Sequence, residues 1–387
     1  MIFRSPKSVY FGNQSLNNLG AILKELGIKK PLIVTDKFLS GSALMDKVKN
    51  PLEESKVAYG IFDETMPEPT TKSIDNLREF FAKDNYDGLV AFGGGSAMDS
   101  AKALAVMETF GGQYRQWHVP NTPNDDVKYP IIAIPTTAGT GSEVSNACIL
   151  KEDSGEKLIY LGASCVPAAA IIDYEFTLDM PAKLTAAAGI DALAHALESY
   201  ISRGANPYSD AMAIHAMKLI GPNLRKVYNN PHDSEAREAV MIGANQAGYA
   251  FTSAGLTLVH GMSAPLGGLF HIQHGLSNAM IMPAVHRYSL KHELPRYAEA
   301  ARIMGLVDAK ASDNEAGQAL IDELSALNKE LNIPTLEEFG VDKEKYFNSL
   351  ELMAKQALAS GAPQLNPIVP NEQELVELYK EIWNERW

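Results

Sequence analysis

Four side chains in the second half of the sequence have the types and the spacing of a metal site. Asp191 and His195 are four residues apart, so on a helix both project from one face and can share a cation. His260 and His274 would complete a set of one carboxylate and three imidazoles, which suits a divalent first-row metal. We expect these four residues to bind one ion from two helical segments that hold almost no other ionisable side chain.

Each of these histidines, taken alone, has a plainer interpretation. A histidine inside an apolar helix is more often a packed core residue than a ligand. Asp191 argues against that interpretation because Ile190 and Ala192 flank it, and a buried carboxylate needs a partner. One cation would satisfy Asp191 and the imidazoles together, so the combination favours a metal site.

Two glycine-rich stretches in the first half could bind an anion. GGGSAMDSAKALA begins at Gly93 after GLVAF, and TTAGTGSEVS begins at Thr136 after YPIIAIP. Glycines allow a tight turn, and a helix that begins near Ser96 would direct free amide groups at a phosphate. Neither stretch contains the dinucleotide fingerprint G-x-G-x-x-G or a Walker A motif, and simple glycine turns would explain each equally well.

Asp36 ends the strand-like run PLIVTD. A carboxylate at the end of a strand can accept hydrogen bonds from both ribose hydroxyls of an adenosine, and it would repel a 2′-phosphate. Asp36 therefore favours NAD over NADP. The alternative, a carboxylate that caps the next helix, explains the residue equally well.

The elements that must position these residues fall into two parts. The first half alternates β-rich runs with helical patterns, which predicts a mostly parallel sheet flanked by helices. After residue 180 the chain is rich in Ala, Leu and Met in helix-length segments, so we predict an α/β domain over 1–180 and an all-α domain over 181–387. The predicted strands are 31–36, 88–92, 129–135 and 168–173, the predicted helices of the first half are 15–26 and 71–83, and a predicted hairpin over 148–162 turns at Asp153, Ser154 and Gly155.

Composition excludes several classes of protein. The 387 residues are 46% hydrophobic, enough for a large core, and carry 47 acidic against 34 basic side chains, a net charge of −13. That charge disfavours nucleic acid and anionic membranes as partners. Cys148 and Cys165 are too few for a disulfide framework, and no targeting or membrane-spanning segment is evident. We therefore expect a cytoplasmic enzyme.

Four motifs, in this order and spacing, resemble those of the iron-containing (group III) alcohol dehydrogenase family, over nearly the whole chain. They are GGGSAMDSAK from Gly93, IPTTAGTGSEV from Ile134, GIDALAHALESY from Gly189 and the HGM…HIQHGLSNAM block from His260. Members of this family include lactaldehyde reductases, 1,3-propanediol dehydrogenases and butanol dehydrogenases. The resemblance implies a dehydroquinate synthase-like fold, in which an N-terminal dinucleotide-binding α/β domain and a helical C-terminal domain form a cleft that holds the active site.

The resemblance also implies residue roles. The metal ligands of the family match Asp191, His195, His260 and His274, with Fe²⁺ as the usual ion and Zn²⁺ compatible with the same ligands. Asp36 matches the aspartate that selects NAD, and Lys157 resembles the lysine that reaches the nicotinamide ribose. The remaining positions that the resemblance assigns to cofactor binding are Gly94, Gly95, Ser96, Asp99, Thr136, Thr137 and Thr140.

The sequence departs from the family pattern near the expected substrate site. Many members have a second histidine four residues after the third ligand, and here that position is Ala264. His271 could replace it as the catalytic proton relay, although a packing or surface role explains it as well. The C-terminal segment from Gly361 also departs from the family tail. Phe251 and Leu256 resemble residues of the substrate-pocket wall.

The expected reaction is hydride transfer between NAD(H) and a small primary alcohol or diol, or the corresponding aldehyde. The metal would bind and polarise the substrate oxygen, and with a single carboxylate ligand the site would stay positively charged. The family also implies a homodimer or higher oligomer, for which a strand near 2–9 could pair across a two-fold axis. Two alternatives remain: a glycerol-type or sugar-phosphate enzyme of the dehydroquinate synthase-like superfamily, and a scaffold without catalysis.

Overall fold

The computed structural model describes residues 3–153 and 156–387 and divides into two compact units. The first unit ends at Leu178, and the second runs from Asp179 to Trp387. The first unit contains every strand of the described residues, and the second is helical. The predicted class, an α/β N-terminal part followed by a helical C-terminal part, is confirmed.

The first unit is built on a six-stranded parallel sheet with the order β1-β8-β5-β4-β2-β3, together with a separate antiparallel pair, β6 and β7. The strands are β1 Ser8–Phe11, β2 Pro31–Val34, β3 Gly60–Phe62, β4 Gly88–Gly93, β5 Ile131–Pro135, β6 Ala147–Lys151, β7 Lys157–Leu161 and β8 Ala169–Ile172. Its helices are α1 Leu19–Glu25, α2 Lys37–Ser40, α3 Ala43–Glu54, α4 Thr71–Phe81 and α5 Gly95–Phe110.

Both faces of this sheet are buried. Alternate residues of one strand point to opposite faces, so Leu32 of β2 packs with α4 and α5, whereas Ile33 packs with α1 and α3. The central strands are therefore apolar without alternation, as is typical of parallel sheets covered by helices on both sides. These buried strands form a rigid frame that positions the loops that follow β2, β4 and β5.

Beside β2, the direction in which successive strands are added to the sheet reverses, although all strands stay parallel. The chain passes from β2 to β3 on one side, and then returns to place β4 on the other side of β2. Ligands of open α/β sheets bind at the carboxyl ends of the strands at such a reversal. The segments that begin at Asp36 and at Gly94 follow β2 and β4, so both lie at this position.

The second unit is organised around α6, whose residues from Thr185 to Ile201 are all buried. Most of these residues are apolar, as expected of an enclosed helix, and α6 packs against α7, α8 and α10. The helices of this unit are α6 Ala182–Ile201, α7 Pro207–Asn229, α8 Ser234–Ala254, α9 Leu258–Phe270, α10 His274–Leu290, α11 Leu294–Ile303, α12 Asp313–Glu330, α13 Leu336–Phe339, α14 Lys343–Asn348, α15 Leu350–Ala359 and α16 Glu372–Trp383. Within the described residues, no helix combines the length and the apolar character needed to cross a bilayer.

Three local expectations need correction or qualification. The helix predicted from Ser15 begins as a 3₁₀ turn over Ser15–Asn18 and becomes α-helical only at Leu19. The first strand is Ser8–Phe11, and Ile2, where the expected strand began, lies outside the described residues. The predicted hairpin is present as β6 and β7, but Ser154 and Gly155 of its expected turn also lie outside the described residues.

Candidate functional site

The four predicted metal ligands converge at one point in the helical unit. Asp191 and His195 lie one turn apart on α6, His260 lies in the first turn of α9, and His274 is the first residue of α10. One ligand atom from each of the four lies within 4.8 Å of the others. The ligands come from three helices rather than two, because the second motif is interrupted after Phe270.

The spacing of the ligand atoms fits a single ion. Asp191 Oδ1 lies 3.6 Å from His195 Nε2, 3.5 Å from His260 Nε2 and 3.8 Å from His274 Nε2. In a tetrahedral site with bonds of about 2.1 Å, neighbouring ligand atoms are about 3.4 Å apart. One carboxylate and three imidazoles are also a donor set that divalent iron or zinc accepts. The residues present therefore fit a divalent metal in both chemistry and spacing.

Exposure differs among the four ligands. Asp191, His195 and His260 are buried, whereas 40% of the His274 side chain is exposed. The cluster is therefore enclosed by α6 and α9 and accessible from the side of α10.

The electrostatics of the cluster favour an anionic Asp191. Burial opposes ionisation of this carboxyl group, but the imidazoles of His195, His274 and His260 hold its pKa well below the usual range. Burial likewise opposes a charged His260, but the carboxylates of Glu198 and Asp191 raise its pKa to about 9. A proton on His260 competes with a metal for the ring, so metal binding at neutral pH releases protons.

Glu198 is a buried carboxylate beside the cluster that the sequence analysis missed. It is completely buried and hydrogen-bonds to His260 Nδ1, and its Oε1 accepts from Thr257 Oγ1 and Val259 N at 2.7 Å each. The expectation of almost no other ionisable side chain near the ligands is therefore wrong. Glu198 adds a second negative charge beside Asp191. The two carboxylates would balance the two positive charges of a divalent ion, so the site would not keep the positive charge that we expected. The signal was present, since Glu198 is three residues after His195 on the same helical face.

Asn278 is a second residue at the cluster that the sequence analysis missed. Its Nδ2 donates to Asp191 Oδ1 at 2.7 Å and lies 3.0 Å from His260 Nε2 and 3.3 Å from His274 Nε2. It follows His274 by one turn of α10, so the spacing that identified Asp191 and His195 would also have identified this residue. The amide connects α10 to the carboxylate of α6.

The structure places Phe251, one of the two expected pocket residues, against a residue of the cluster. The ring of Phe251, on α8, lies 4.7 Å from that of His195 between centroids. Leu256 lies in the connection between α8 and α9 and is half-buried. His271 is exposed and ends α9 in a left-handed conformation with φ +56°, outside the group of four ligands. Ala264 lies on α9, one turn beyond His260.

The two glycine-rich loops lie side by side in the first unit. β4 and β5 are neighbouring strands, and Thr136 N donates to Gly93 O at 3.0 Å. Gly94 is the N-cap of α5, and no side chain caps the amides of the first turn. A methyl group at Gly95 would lie 3.1 Å from Thr140, and one at Gly94 would lie 3.5 Å from Thr137. The structure thus brings Gly94, Gly95, Ser96 and the three threonines together.

Asp99 and Lys102 organise the loop after β5. Lys102 is completely buried and donates to Ser142 Oγ at 2.9 Å and to Ala147 O at 2.8 Å. Asp99 accepts from Ser142 Oγ at 3.1 Å and from Ile149 N at 3.2 Å. Burial raises the pKa of Asp99 to about 6, against the lowering effect of Lys102. In this structure Asp99 supports the loop and β6, and Lys102 is a third residue that the sequence analysis missed.

Asp36 and Lys157 have structural partners in the first unit. Asp36 is the N-cap of α2, and its Oδ1 accepts from Leu39 N at 2.9 Å, which is the capping role left open above. Lys157 begins β7, and its Nζ forms an ion pair of 3.1 Å with Glu68. Asp36 follows β2, the strand next to β4, which leads into Gly94.

Comparison with known proteins gives matches along the whole chain. The family "Iron-containing alcohol dehydrogenase" matches residues 6–174, and "Fe-containing alcohol dehydrogenase family, C-terminal" matches residues 185–383. The chain is 36% identical over 380 residues to the NAD-dependent methanol dehydrogenase of Bacillus methanolicus, covering 98% of each chain. It is 34% identical over 381 residues to the lactaldehyde reductase of Escherichia coli K12, covering 97% of this chain and 98% of the relative. A solved structure of 1,3-propanediol oxidoreductase superposes with a TM-score of 0.94 at 34% identity, covering 98% of this chain and 99% of that one.

Proposed function

Because this chain belongs to the iron-containing alcohol dehydrogenase family, we propose that it transfers hydride between NAD(H) and a small primary alcohol or diol, or the corresponding aldehyde. The observation that carries this proposal is the cluster of Asp191, His195, His260 and His274 within 4.8 Å. A non-catalytic descendant would be expected to have lost part of such a set.

The residues of the second unit would bind the metal and present it to the substrate. A divalent ion supplies Lewis acidity for the substrate oxygen, and a bound nicotinamide supplies the hydride acceptor or donor. Asp191 contributes the anionic ligand, and the three imidazoles contribute neutral nitrogen ligands. Asn278 holds the Asp191 carboxylate by its hydrogen bond, and the partial exposure of His274 leaves access for the substrate.

The ion itself is proposed to be Fe²⁺, with Zn²⁺ as the alternative. Both ions accept imidazole and carboxylate ligands, and the family name supports iron. Reconstituting the metal-free protein anaerobically with each ion, followed by turnover measurements, distinguishes them. Higher turnover with zinc than with iron would contradict the iron proposal.

The residues of the first unit would bind NAD. Free amides at the start of α5 suit a pyrophosphate, and Gly94, Gly95 and Ser96 form that start. We propose that Thr136, Thr137 and Thr140 contact the cofactor from the neighbouring loop, with Asp99 supporting it from behind. Asp36, at the end of β2, would accept hydrogen bonds from the adenosine ribose, and Lys157 is proposed to reach the nicotinamide ribose.

A small substrate is favoured by the relatives and by Phe251. The relatives are named for methanol and lactaldehyde, and the solved structure for 1,3-propanediol. Phe251 is proposed to form the pocket wall next to His195, together with Leu256. Since Ala264 cannot transfer a proton, we assign a proton relay to His271, whose exposure would give it access to solvent.

We also propose a cytoplasmic homodimer or higher oligomer. Both free cysteines, Cys148 and Cys165, are buried, as suits a reducing compartment. β1 is an edge strand of the sheet, so its outer side is available for pairing with a second copy. Light scattering of the purified protein tests the oligomer, and a monomer at micromolar concentration would contradict it.

The function is tested by assaying NAD⁺ reduction with a panel of primary alcohols, diols and glycerol, and NADH oxidation with the matching aldehydes. We expect short alcohols or diols to be oxidised, with NAD⁺ preferred over NADP⁺. Activity on glycerol or sugar phosphates alone would move the protein to another class of the superfamily. Inactivity of the metal-loaded protein on the whole panel would refute the proposal.

A further inference from the structure

We infer that Glu198 is a positioning residue of the metal centre, which orients the His260 ring for metal binding and fixes the start of α9 against α6. This inference rests on the metal site proposed above, but it concerns a residue outside the four ligands. Its evidence is the set of hydrogen bonds that Glu198 makes.

The contact with Glu198 determines which nitrogen of the His260 ring carries the proton. An ionised carboxylate only accepts hydrogen bonds, so the proton between Glu198 and His260 is carried by Nδ1 of the ring. The lone pair of the neutral ring is then on Nε2, the atom that lies 3.5 Å from Asp191 Oδ1. The carboxylate therefore selects the tautomer in which the nitrogen facing the other ligands can bind a metal.

Glu198 also fixes the position of the start of α9. The helix begins at Leu258, and its N-cap Thr257 makes no side-chain hydrogen bond to the first turn. Glu198 Oε1 replaces that cap, because it accepts from Val259 N and from the Thr257 hydroxyl. A carboxylate at a helix N-terminus is also stabilised by the helix dipole. His260 belongs to this first turn, so the cap and the ring contact fix the ligand in two ways.

The hydrogen bonds of Glu198 also stabilise its buried charge. Glu198 is completely enclosed, and a buried carboxylate without partners would be strongly unfavourable. Its two oxygens are instead satisfied by the donors of Thr257, Val259 and His260. The same atoms that stabilise the charge thus also connect α6, which bears Asp191 and His195, to α9.

The variant Glu198→Gln tests the orienting role. Its amide oxygen can still accept from Thr257 and Val259, so its NH₂ group would face His260 and would require Nδ1 as an acceptor. The ring proton would then move to Nε2, the atom needed for the metal. We expect the affinity for Zn²⁺, measured by competition with a chromophoric chelator, to fall about 10- to 100-fold.

A spectroscopic signature separates orientation from loss of structure. In ¹⁵N-labelled wild-type protein, a slowly exchanging, downfield proton on His260 Nδ1 is expected with and without Zn²⁺, and it should be lost in Glu198→Gln. The signal is assigned by its absence in His260→Gln. Circular dichroism confirms that each variant is folded. If Glu198→Gln does not fold, the wild-type signal still tests whether the ring proton of His260 lies on Nδ1.

Two control variants complete the experiment. Thr257→Val removes one donor to Glu198 but leaves the His260 contact, so Zn²⁺ affinity should stay within about threefold. Glu351→Gln removes an exposed glutamate of the same unit and should change nothing. The inference is overturned if Glu198→Gln binds Zn²⁺ as tightly as the wild type, or if wild-type Nδ1 carries no proton. If the wild type itself fails to bind Zn²⁺, the proposed metal centre fails, whereas the Nδ1 signal still tests Glu198.

Discussion

Asp191 combines three properties that no other residue of the cluster has together. It is anionic, it is buried, and its Oδ1 is the atom from which the distances to all three histidines are 3.5–3.8 Å. Removing its charge leaves three neutral rings and a neutral amide around the ion. The carboxylate is therefore the ligand whose loss should affect metal binding most.

Asp191→Asn preserves the size of the side chain and removes its charge. We expect the affinity for a divalent metal to fall at least about 100-fold, because the only anionic ligand is lost. Equilibrium dialysis with Zn²⁺ measures this change. Asp322→Asn, on the exposed face of α12, is the matched control and should bind normally. Unchanged binding by Asp191→Asn would exclude Asp191 as a ligand.

His271 allows a backbone role to be separated from a catalytic one. Its φ of +56° is disfavoured for alanine and readily adopted by glycine, so His271→Gly should be about 1 kcal/mol more stable than His271→Ala. Urea unfolding measures this difference. If His271 relays a proton, as proposed, both variants lose turnover to the same extent. Equal stability of the two variants would contradict the backbone argument.

The sequence predicted the four residues of the cluster but not Glu198 and Asn278, which hydrogen-bond to them. Asp191 and His195 were recognisable from their spacing, and the pairing with His260 and His274 followed from their chemistry. Glu198 and Asn278 satisfy the same helical spacing, but a glutamate or an asparagine on a helix is usually solvated. Their burial depends on which helices surround α6, and that information is not local.

Among the secondary-structure elements, α5 and the loop after β5 form the contact that shapes the proposed nucleotide site. Gly95→Ala would place a methyl group 3.1 Å from Thr140, which requires the threonine to move by a few tenths of an ångström. We expect the KM for NAD⁺ to rise about tenfold while the thermal midpoint changes little. Steady-state kinetics measure the first quantity, and calorimetry the second. Unchanged KM would show that this contact does not shape the site.

Asp99, which lies on α5, makes the stability of the protein depend on pH. Its pKa is about 6 in the folded protein and near 3.8 when unfolded, so the folded state holds the proton more tightly. The resulting stabilisation is complete below about pH 3.8 and is lost as the pH rises through 6. Relative to Asp99→Asn, the wild type should therefore lose about 1 kcal/mol between pH 5 and pH 7.5. Urea unfolding at the two pH values tests this, and a difference that grows in favour of the wild type would contradict it.

Local patterns predicted most strands but not the helix boundaries near the site. β2, β4, β5 and β8 lie where apolar runs placed them, because a strand buried on both faces needs a continuous run. The break between α9 and α10 was missed, since His271 is not a residue type that normally marks a left-handed helix end. That break matters, because it makes His274 the first residue of a separate helix.

At the scale of the whole molecule, composition and the change of character after residue 180 predicted an α/β unit followed by a helical one, and the fold confirms this class. The strand order was not predictable in the same way. The central strands are similarly apolar, so the sequence of one strand does not specify that β4 lies on the opposite side of β2 from β3. The motifs supplied the missing information through resemblance, and the comparisons confirm the family.

In the function that we propose, NAD-linked alcohol oxidation requires a metal held by Asp191, His195, His260 and His274. The most direct test measures NADH formation from a primary alcohol or diol before chelation, after chelation and after anaerobic addition of Fe²⁺ or Zn²⁺. We predict that chelation lowers the rate at least about 100-fold and that the ion restores it. Full activity of protein shown to be free of metal would show that the reaction does not require the ion.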